Sequence, residues 1–501
     1  MAKEKLTSQK IQKWTKKDVF RTVTVIVLNL LLIAEIMVGS IALNGYGIHA
    51  SSETFLDYFN NPERLNDFLF LMASVVVIVA ATSLHLILDN KNKFRDTENL
   101  KITFAIIELS LILCYFTGRY LSVYLRPIFL GVLLAHQFLG RRSAMFTNVV
   151  ICLLIYIMDA FTNFAFVDNY SLVSTLALGF VGGVITIYFV EKEDSRIKVL
   201  LRSILLSLPQ LIFLILLAHG RVDLCWDNLL YVIGASVLAA MIYLVIMPIM
   251  ESLFKRTTSY RLVELTSHSA PLIKRMIEIA PGTFNHIIVV SNLAEACAIA
   301  IGEDPLLARA VAYYHDIGKL KQPEFFKENQ MEERDFHKDL MPELSTSIIK
   351  AHAKDGAELI KKFRLPKYFG DVCKEHHGTM PILFFYDKAK KYTDGEVNIK
   401  DFCYAGPKPQ SKISAIIMIA DGAEAASRTL KNRSREEVFN CVERVIEDRL
   451  TLGQFDECEI TMREINIIKN TIVNNLTGVY HKRIEYPNID VEKLTKEAGE
   501  H

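Results

Sequence analysis

Five histidines and two aspartates in the second half of the chain have the types and placement of metal ligands. They are His286 in TFNHIIVV, the pair His315-Asp316 in YYHDIGK, His352 in IIKAHAKDG, the pair His376-His377 in CKEHHGT, and Asp421 in IIMIADGAE. Each stands on or at the end of an apolar segment of helical period, where burying so many polar rings without partners is costly. Imidazole nitrogen and carboxylate oxygen suit transition metals such as Fe, Mn and Zn, and helices can deliver them inward to one centre. A lone His-Asp pair is a weak signal and reads first as the end of a core helix, but the set of seven does not. Seven ligands exceed one ordinary site and point to two divalent ions. Asp316 is then the natural bridge, because His315 beside it can bind one of the same ions. Two ions ~3.5–4 Å apart hold a hydroxide and clamp the oxygens of a phosphoryl group, so the chemistry is that of a two-metal hydrolase. Lys319, one turn beyond His315, either supplies positive charge to non-bridging phosphoryl oxygens or closes a solvated helix end.

The elements that must position these residues are all helical. Apolar periodicity predicts helices over 283–301, 305–316, 345–363, 366–377, 411–429, 435–450 and 461–481. Asp304-Pro305 is a start signal, an N-cap followed by a proline at the first helical position, and Gly318 is a stop. Upstream, 251–280 reads as a helical connector interrupted at Pro271 and ended by Pro281-Gly282. GPKPQ (406–410) marks a loop, and 387–401 is a charged stretch with no helical assignment. No strand alternation and no internal repeat emerge.

The first half has a different character. The chain has 501 residues, 51% of them hydrophobic, and a mean hydropathy of +0.24, with the apolar residues concentrated before about residue 250. Eight segments approach the ~20 residues that cross a bilayer: 20–43, 67–88, 102–118, 120–140, 144–165, 171–190, 198–219 and 229–250. Lys and Arg cluster before the first span and in alternate connections (Lys91, Lys93 and Arg95; Arg141 and Arg142; Lys192, Arg196 and Lys198), which assigns those faces, both termini and the C-terminal half to the cytoplasm. The first span is long and lacks a convincing cleavage site, so it reads as a retained anchor. A net charge of +1 gives no sign of nucleic-acid binding, and the eight cysteines lack paired spacing and read as reduced thiols. Glu35, Glu108 and Asp159 fall inside candidate spans, where they either mark a transport path or pair within the bundle.

The pattern H…HD…H…HH…D resembles that of the HD phosphohydrolase superfamily at all seven positions. PGTFNHIIVVSNLAEA, LLARAVAYYHDIGK, FFKENQ, HHGT with FFY, GPKPQSK and LGQFDECEIT further resemble the seven-transmembrane HD family of membrane cyclic di-AMP phosphodiesterases, the PgpH type, over 251–487 and the membrane arrangement before it. The resemblance implies a di-iron or di-manganese site with His286, His315, Asp316 and Asp421 around one ion, His352, His376 and His377 on the other, and Asp316 between them. It implies attack of a metal-bridging hydroxide on one phosphodiester, opening cyclic di-AMP to linear 5′-pApA and so controlling a second-messenger level. Phe384, Phe385 and Tyr386 either stack on a purine or pack within their own segment. Two departures stand out. Family members typically carry a sizeable extracellular domain after the first span, whereas residues 44–66 are too few for a folded domain, and Asn285 precedes His286 where many relatives have a second histidine.

The expected molecule is therefore an all-α protein of a bacterial cell membrane, a multi-span helical membrane domain followed by a cytoplasmic all-helical HD-domain phosphohydrolase. Its parts are a tail (1–19), an anchor (20–43), a short outer loop (44–66), a seven-helix membrane domain (67–250), a connector (251–280), the HD domain (281–490) and a tail (491–501). Expected partners are two Mn or Fe ions, a cyclic dinucleotide and the lipid bilayer, with no nucleic acid and with room for a homo-oligomer. Two alternatives remain open: an HD hydrolase of another cyclic dinucleotide, though the GYP signature of cyclic di-GMP enzymes does not follow HHGT, and a receptor or transporter whose HD domain only regulates.

Overall fold

A computed structural model describes residues 15–43, 56–89, 97–162, 169–190, 196–217, 226–254, 256–330, 336–392, 396–430 and 434–479. The expected tail 491–501 lies outside them, as do the end of the expected HD domain beyond 479, most of the tail 1–19 and half of the loop 44–66. Among the described residues the only pairing of strand type is a bridge between Pro381 and Cys403. The chain divides into two units, Met1–Tyr260 and Arg261–His501.

The first unit is built from α1 (Lys16–Ala42), the single turn α2 (Asp57–Asn60), α3 (Pro62–Asp89), α4 (Glu98–Tyr120), α5 (Phe129–Leu139), α6 (Arg141–Phe161), α7 (Asn169–Val190), α8 (Arg196–Leu217) and α9 (Trp226–Phe254). Thr15 and Asp18 start α1 as a reciprocal capping box. Six of these helices (α1, α3, α4, α6, α8 and α9) are long and apolar enough to cross a membrane. The expected span 120–140 is built differently: a 3-10 turn at Val123–Leu125 leads into α5, whose 11 residues cover only ~16 Å. The break has a purpose, because Arg126, in the bend between them, forms a buried bidentate pair with Asp159 of α6, with Nη2 2.7 Å from Oδ1. Gly118 admits the guanidinium, since a Cβ there would lie 2.3 Å from Arg126 Nε. Asp159 thus pairs within the bundle.

The short α10 (Ser259–Leu265) spans the division between the units. The second unit continues with α11 (Pro271–Ile279), α12 (Pro281–Ile301), α13 (Pro305–Ala312), α14 (Pro342–Lys362), α15 (Lys367–Glu375), α16 (Leu383–Tyr392), α17 (Lys412–Arg428), α18 (Arg435–Thr451) and α19 (Met462–Val479). Pro271 and Pro281 stand at helix starts, where a missing N–H costs nothing. Gly302 closes α12 in the left-handed region (φ 79°), and Asp304 caps α13 by accepting from Leu307 N at 3.1 Å. One core runs through α12, α13, α15, α17, α18 and α19. α12 is itself apolar enough to be counted as a span by composition, but it is a core helix here: Ile287, Val290, Ala294 and Ala298 are fully buried in that core. The charged stretch carries an unexpected helix, α16, whose Phe385 and Ala389 form a satellite core with Phe402.

Candidate metal centre

Helix ends rather than helix middles deliver most of the ligands. α13 stops at Ala312, short of the expected 316, and the chain tightens through a turn into a 3-10 segment at Ile317–Lys321. His315 and Asp316 lie in that turn, both fully buried. Gly318 makes the tight course possible because a Cβ there would lie 1.9 Å from the His352 carbonyl oxygen, so the turn is pressed onto the α14 backbone. His376 and His377 follow the end of α15, and Glu375 just before them accepts from Ser414 Oγ at 2.6 Å and from Gln410 N at 3.2 Å. His286, His352 and Asp421 project from within α12, α14 and α17.

The other six residues gather around Asp316. Its Oδ2 lies 3.4 Å from His315 Nε2 and 3.7 Å from His286 Nε2, and its Oδ1 lies 3.4 Å from His352 Nε2 and 3.6 Å from His376 Nε2. Asp421 Oδ1 stands 3.0 Å from His286 Nε2 and 3.9 Å from His315 Nε2, while its Oδ2 is 3.7 Å from His377 Nδ1. Two groups with metal-binding geometry result, sharing Asp316: His286, His315, Asp316 and Asp421, and Asp316, His352, His376 and His377. The residues present fit metal. His315 Nε2 and Asp316 Oδ1 are buried without a hydrogen-bond partner, a costly state that a cation relieves. The ring nitrogens that face away from the centre are engaged: Nδ1 of His315 lies 2.7 Å from Ala312 O, of His352 2.6 Å from Ile349 O, and of His376 2.8 Å from Cys373 O. Donation from Nδ1 to a carbonyl leaves Nε2 as the lone pair, the tautomer a metal ligand needs.

Electrostatics favour the neutral, ligating state at His315 and His352. Burial depresses His315 and His352 to about 4, so both rings are neutral near pH 7. Burial would lower His286 too, but its contacts with Asp421 and Glu424 outweigh that and raise it to about 9. Burial alone would raise Asp316; the neighbouring Lys319 and His315 outweigh it and hold the carboxyl well below its usual range.

Other expected site residues fare differently. Lys319 is neither free nor solvated: its Nζ lies 2.8 Å from Asp316 Oδ2 and 2.8 Å from Glu328 Oε1, beside the Phe326 ring. Phe385 and Tyr386 are drawn into the satellite core. Phe385 packs against His337 and Phe384, and Tyr386 against Phe402 and Lys390, and neither has a ring contact with the five ligand histidines among the described residues. The aromatic that stacks at the centre is Tyr404, 4.3 Å from the His377 ring at 28°. Glu424, Glu328 and Gln454 also serve the site without standing out in the sequence. Glu424 Oε2 lies 2.5 Å from His286 Nδ1. Gln454 accepts from Thr379 N at 2.9 Å and so clamps the turn after the paired histidines, where Gly378 has φ 51°. The available signal for Glu424 was its position three residues after Asp421, which puts both carboxylates on one face of α17.

Comparison with known proteins agrees with this architecture. Residues 283–426 match the HD domain, and residues 68–258 match the "7TM receptor with intracellular HD hydrolase" family. The two models match in this order along the chain, which is a multi-pass membrane protein carrying an HD domain. Among curated relatives, the cyclic-di-AMP phosphodiesterase PgpH of Bacillus subtilis is 34% identical over 373 residues, covering 73% of this chain and 51% of that protein. The PgpH of Listeria monocytogenes is 39% identical over 313 residues, covering 62% of this chain and 44% of that protein. The chain thus spans about half the length of the curated relatives it matches. A crystal structure of the L. monocytogenes PgpH HD domain in complex with cyclic-di-AMP is 45% identical and covers 43% of this chain and 100% of that one, with a TM-score of 0.41.

Proposed function

We propose that this chain is a membrane-anchored, metal-dependent phosphodiesterase that hydrolyses cyclic di-AMP to linear 5′-pApA, with the HD domain and both termini on the cytoplasmic side. The observation that carries the reading is the two-sided carboxylate of Asp316, with a separate set of histidines facing each oxygen. The choice of substrate rests on the names of two relatives, each a cyclic-di-AMP phosphodiesterase.

His286, His315, Asp316 and Asp421 would hold one divalent ion and Asp316, His352, His376 and His377 the other, with Mn or Fe suited to this nitrogen-rich set. Two such ions supply Lewis acidity: they acidify water and neutralise phosphoryl charge. The chain's own residues do the rest. Backbone carbonyls fix three imidazoles with Nε2 inward, so the ligands need no reorganisation when substrate arrives. Lys319 keeps Asp316 ionised and adds a fixed positive charge for the phosphodiester. In the reaction water oxygen bonds to phosphorus, the P–O3′ bond breaks, and the leaving oxygen takes a proton to become a free 3′-hydroxyl. The 5′-phosphate stays on the linear dinucleotide.

The test is turnover by the purified, Mn-loaded full chain in detergent, given cyclic di-AMP and cyclic di-GMP separately with products resolved by chromatography. Selective release of 5′-pApA is the expected result. No turnover of either substrate by protein carrying two ions would overturn the substrate assignment.

A further inference from the structure

The two ligand groups differ in what stands behind them. In the group with His352 and His376, the outward Nδ1 atoms meet neutral backbone carbonyls, that of Ile349 at His352 and those of Val372 and Cys373 at His376. In the other group, His286 Nδ1 meets a carboxylate, Glu424 Oε2, at 2.5 Å. Glu424 is 1% exposed, and its second oxygen is held by Arg428 Nε at 2.5 Å, so neither oxygen is free to turn elsewhere. One face of α17 therefore carries a ligand at Asp421, that ligand set's outer partner at Glu424 one turn later, and the outer partner's own clamp at Arg428. Asp316, with Lys319 upon it, is common to both groups and cannot distinguish them.

We propose that the two positions bind metal with unequal affinity, the carboxylate-rich position of His286, His315, Asp316 and Asp421 filling first, and that Glu424 is the positioning residue that sets the difference. An imidazole that donates Nδ1–H to a carboxylate is locked in the ligating tautomer and is the more basic donor, and loss of such an outer partner typically costs ~10–100-fold in metal affinity. Anionic oxygen also attracts a divalent cation more than neutral nitrogen does. The first position has two carboxylates as ligands and a third behind His286, whereas the second has Asp316 alone. The inference rests on the two-metal reading above.

The test is a Mn(II) titration of chelator-stripped full chain in detergent, with free Mn(II) followed by its electron paramagnetic resonance signal. Two classes of one ion each are expected. Glu424→Gln, which keeps the shape and removes the charge, should weaken the tight class by about 10–100-fold, leave the weak class in place and leave the total at two. His377→Ala should remove the weak class and spare the tight one. An unchanged tight class in Glu424→Gln, or equal weakening of both classes, would overturn the assignment. Should Glu424→Gln fail to fold, Asp421→Asn still tests which position fills first: it must lose the tight class, and loss of the weak class instead would overturn the proposal. A wild-type total below two ions would sink the two-metal reading itself.

Discussion

Asp316 is the residue on which both halves of the centre depend, because each of its oxygens faces a different pair of imidazoles. On the two-metal reading, replacing it removes a ligand from two ions at once. Asp316→Ala, or the double variant with His315→Ala, should therefore lose both ions by elemental analysis and lower turnover by more than the roughly 100-fold that an outer partner costs, while the protein stays in the membrane fraction. Retained turnover in the purified double variant would refute the site. The same residues set a pH dependence. In chelator-stripped protein, His315 and His352 have folded-state values near 4 against about 6.5 unfolded, so the unfolded chain binds more protons between those values. Their contribution is complete above pH 6.5 and is lost as pH falls toward 4, on the order of a few kcal/mol in all. His286, raised to about 9, acts in the opposite sense, contributing fully below pH 6.5 and losing that contribution as pH rises toward 9. Thermal unfolding of stripped protein should thus peak near neutrality and fall on both sides, and an unfolding temperature that rises steadily into acid would contradict these assignments. The ligands were legible in the sequence because residue type and apolar setting mark them. Their partners Glu424, Glu328 and Gln454 were not, since a buried acid or amide on a charged helix or turn acquires its role only through contacts distant in sequence.

At the scale of elements, the periodic pattern located the helices of the second unit, and the discrepancies lie where chemistry overrides periodicity. The expected helix 305–316 ends four residues early because an α-helix continued through His315 and Asp316 would place them successively around its axis, whereas the turn aims both inward. The 3-10 segment that follows is affordable only with glycine at 318. Gly318→Ala would put a methyl group 1.9 Å from His352 O and 2.6 Å from Gly356 N, both backbone atoms that cannot rotate away. The variant should lose about 1–3 kcal/mol of stability and weaken metal binding through displacement of His352, read by thermal unfolding and Mn(II) titration together. Wild-type values for both would show that the close approach has no consequence. α16 was missed for a different reason: a charged stretch hides an amphipathic helix when only Phe385 and Ala389 face inward. The same packing explains why Phe385 and Tyr386 are poor candidates for stacking on a base.

The whole molecule joins a membrane unit to a unit that carries the HD domain, and each has its own internal ties. In the first, the Arg126–Asp159 pair closes the bend before α5, and Asp159→Asn would leave a buried guanidinium without its counter-charge, a change that costs about 3–5 kcal/mol when one partner of a buried pair is removed. Detergent-solubilised Asp159→Asn should unfold well below wild type, and an unchanged transition would mean that the pair is dispensable. In the second unit, the main apolar core and both metal groups lie within Arg261–His501, and among the described residues every candidate ligand comes from this unit. A fragment of residues 258–501 should therefore fold cooperatively and bind two Mn(II) ions. If the membrane unit only anchors, the fragment and the full chain in vesicles have the same kcat and KM for cyclic di-AMP whatever the lipid. If it regulates, the lipid or a membrane ligand must favour one state of the hydrolase over another, and only differential affinity for two states can shift them. The connector (251–280) is the covalent route for such a shift, and its helices α10 and α11 precede α12, which carries His286. A full chain whose kcat varies with bilayer composition, beside a fragment whose kcat does not, would establish that coupling; identical kinetics in every bilayer would reduce the membrane unit to an anchor.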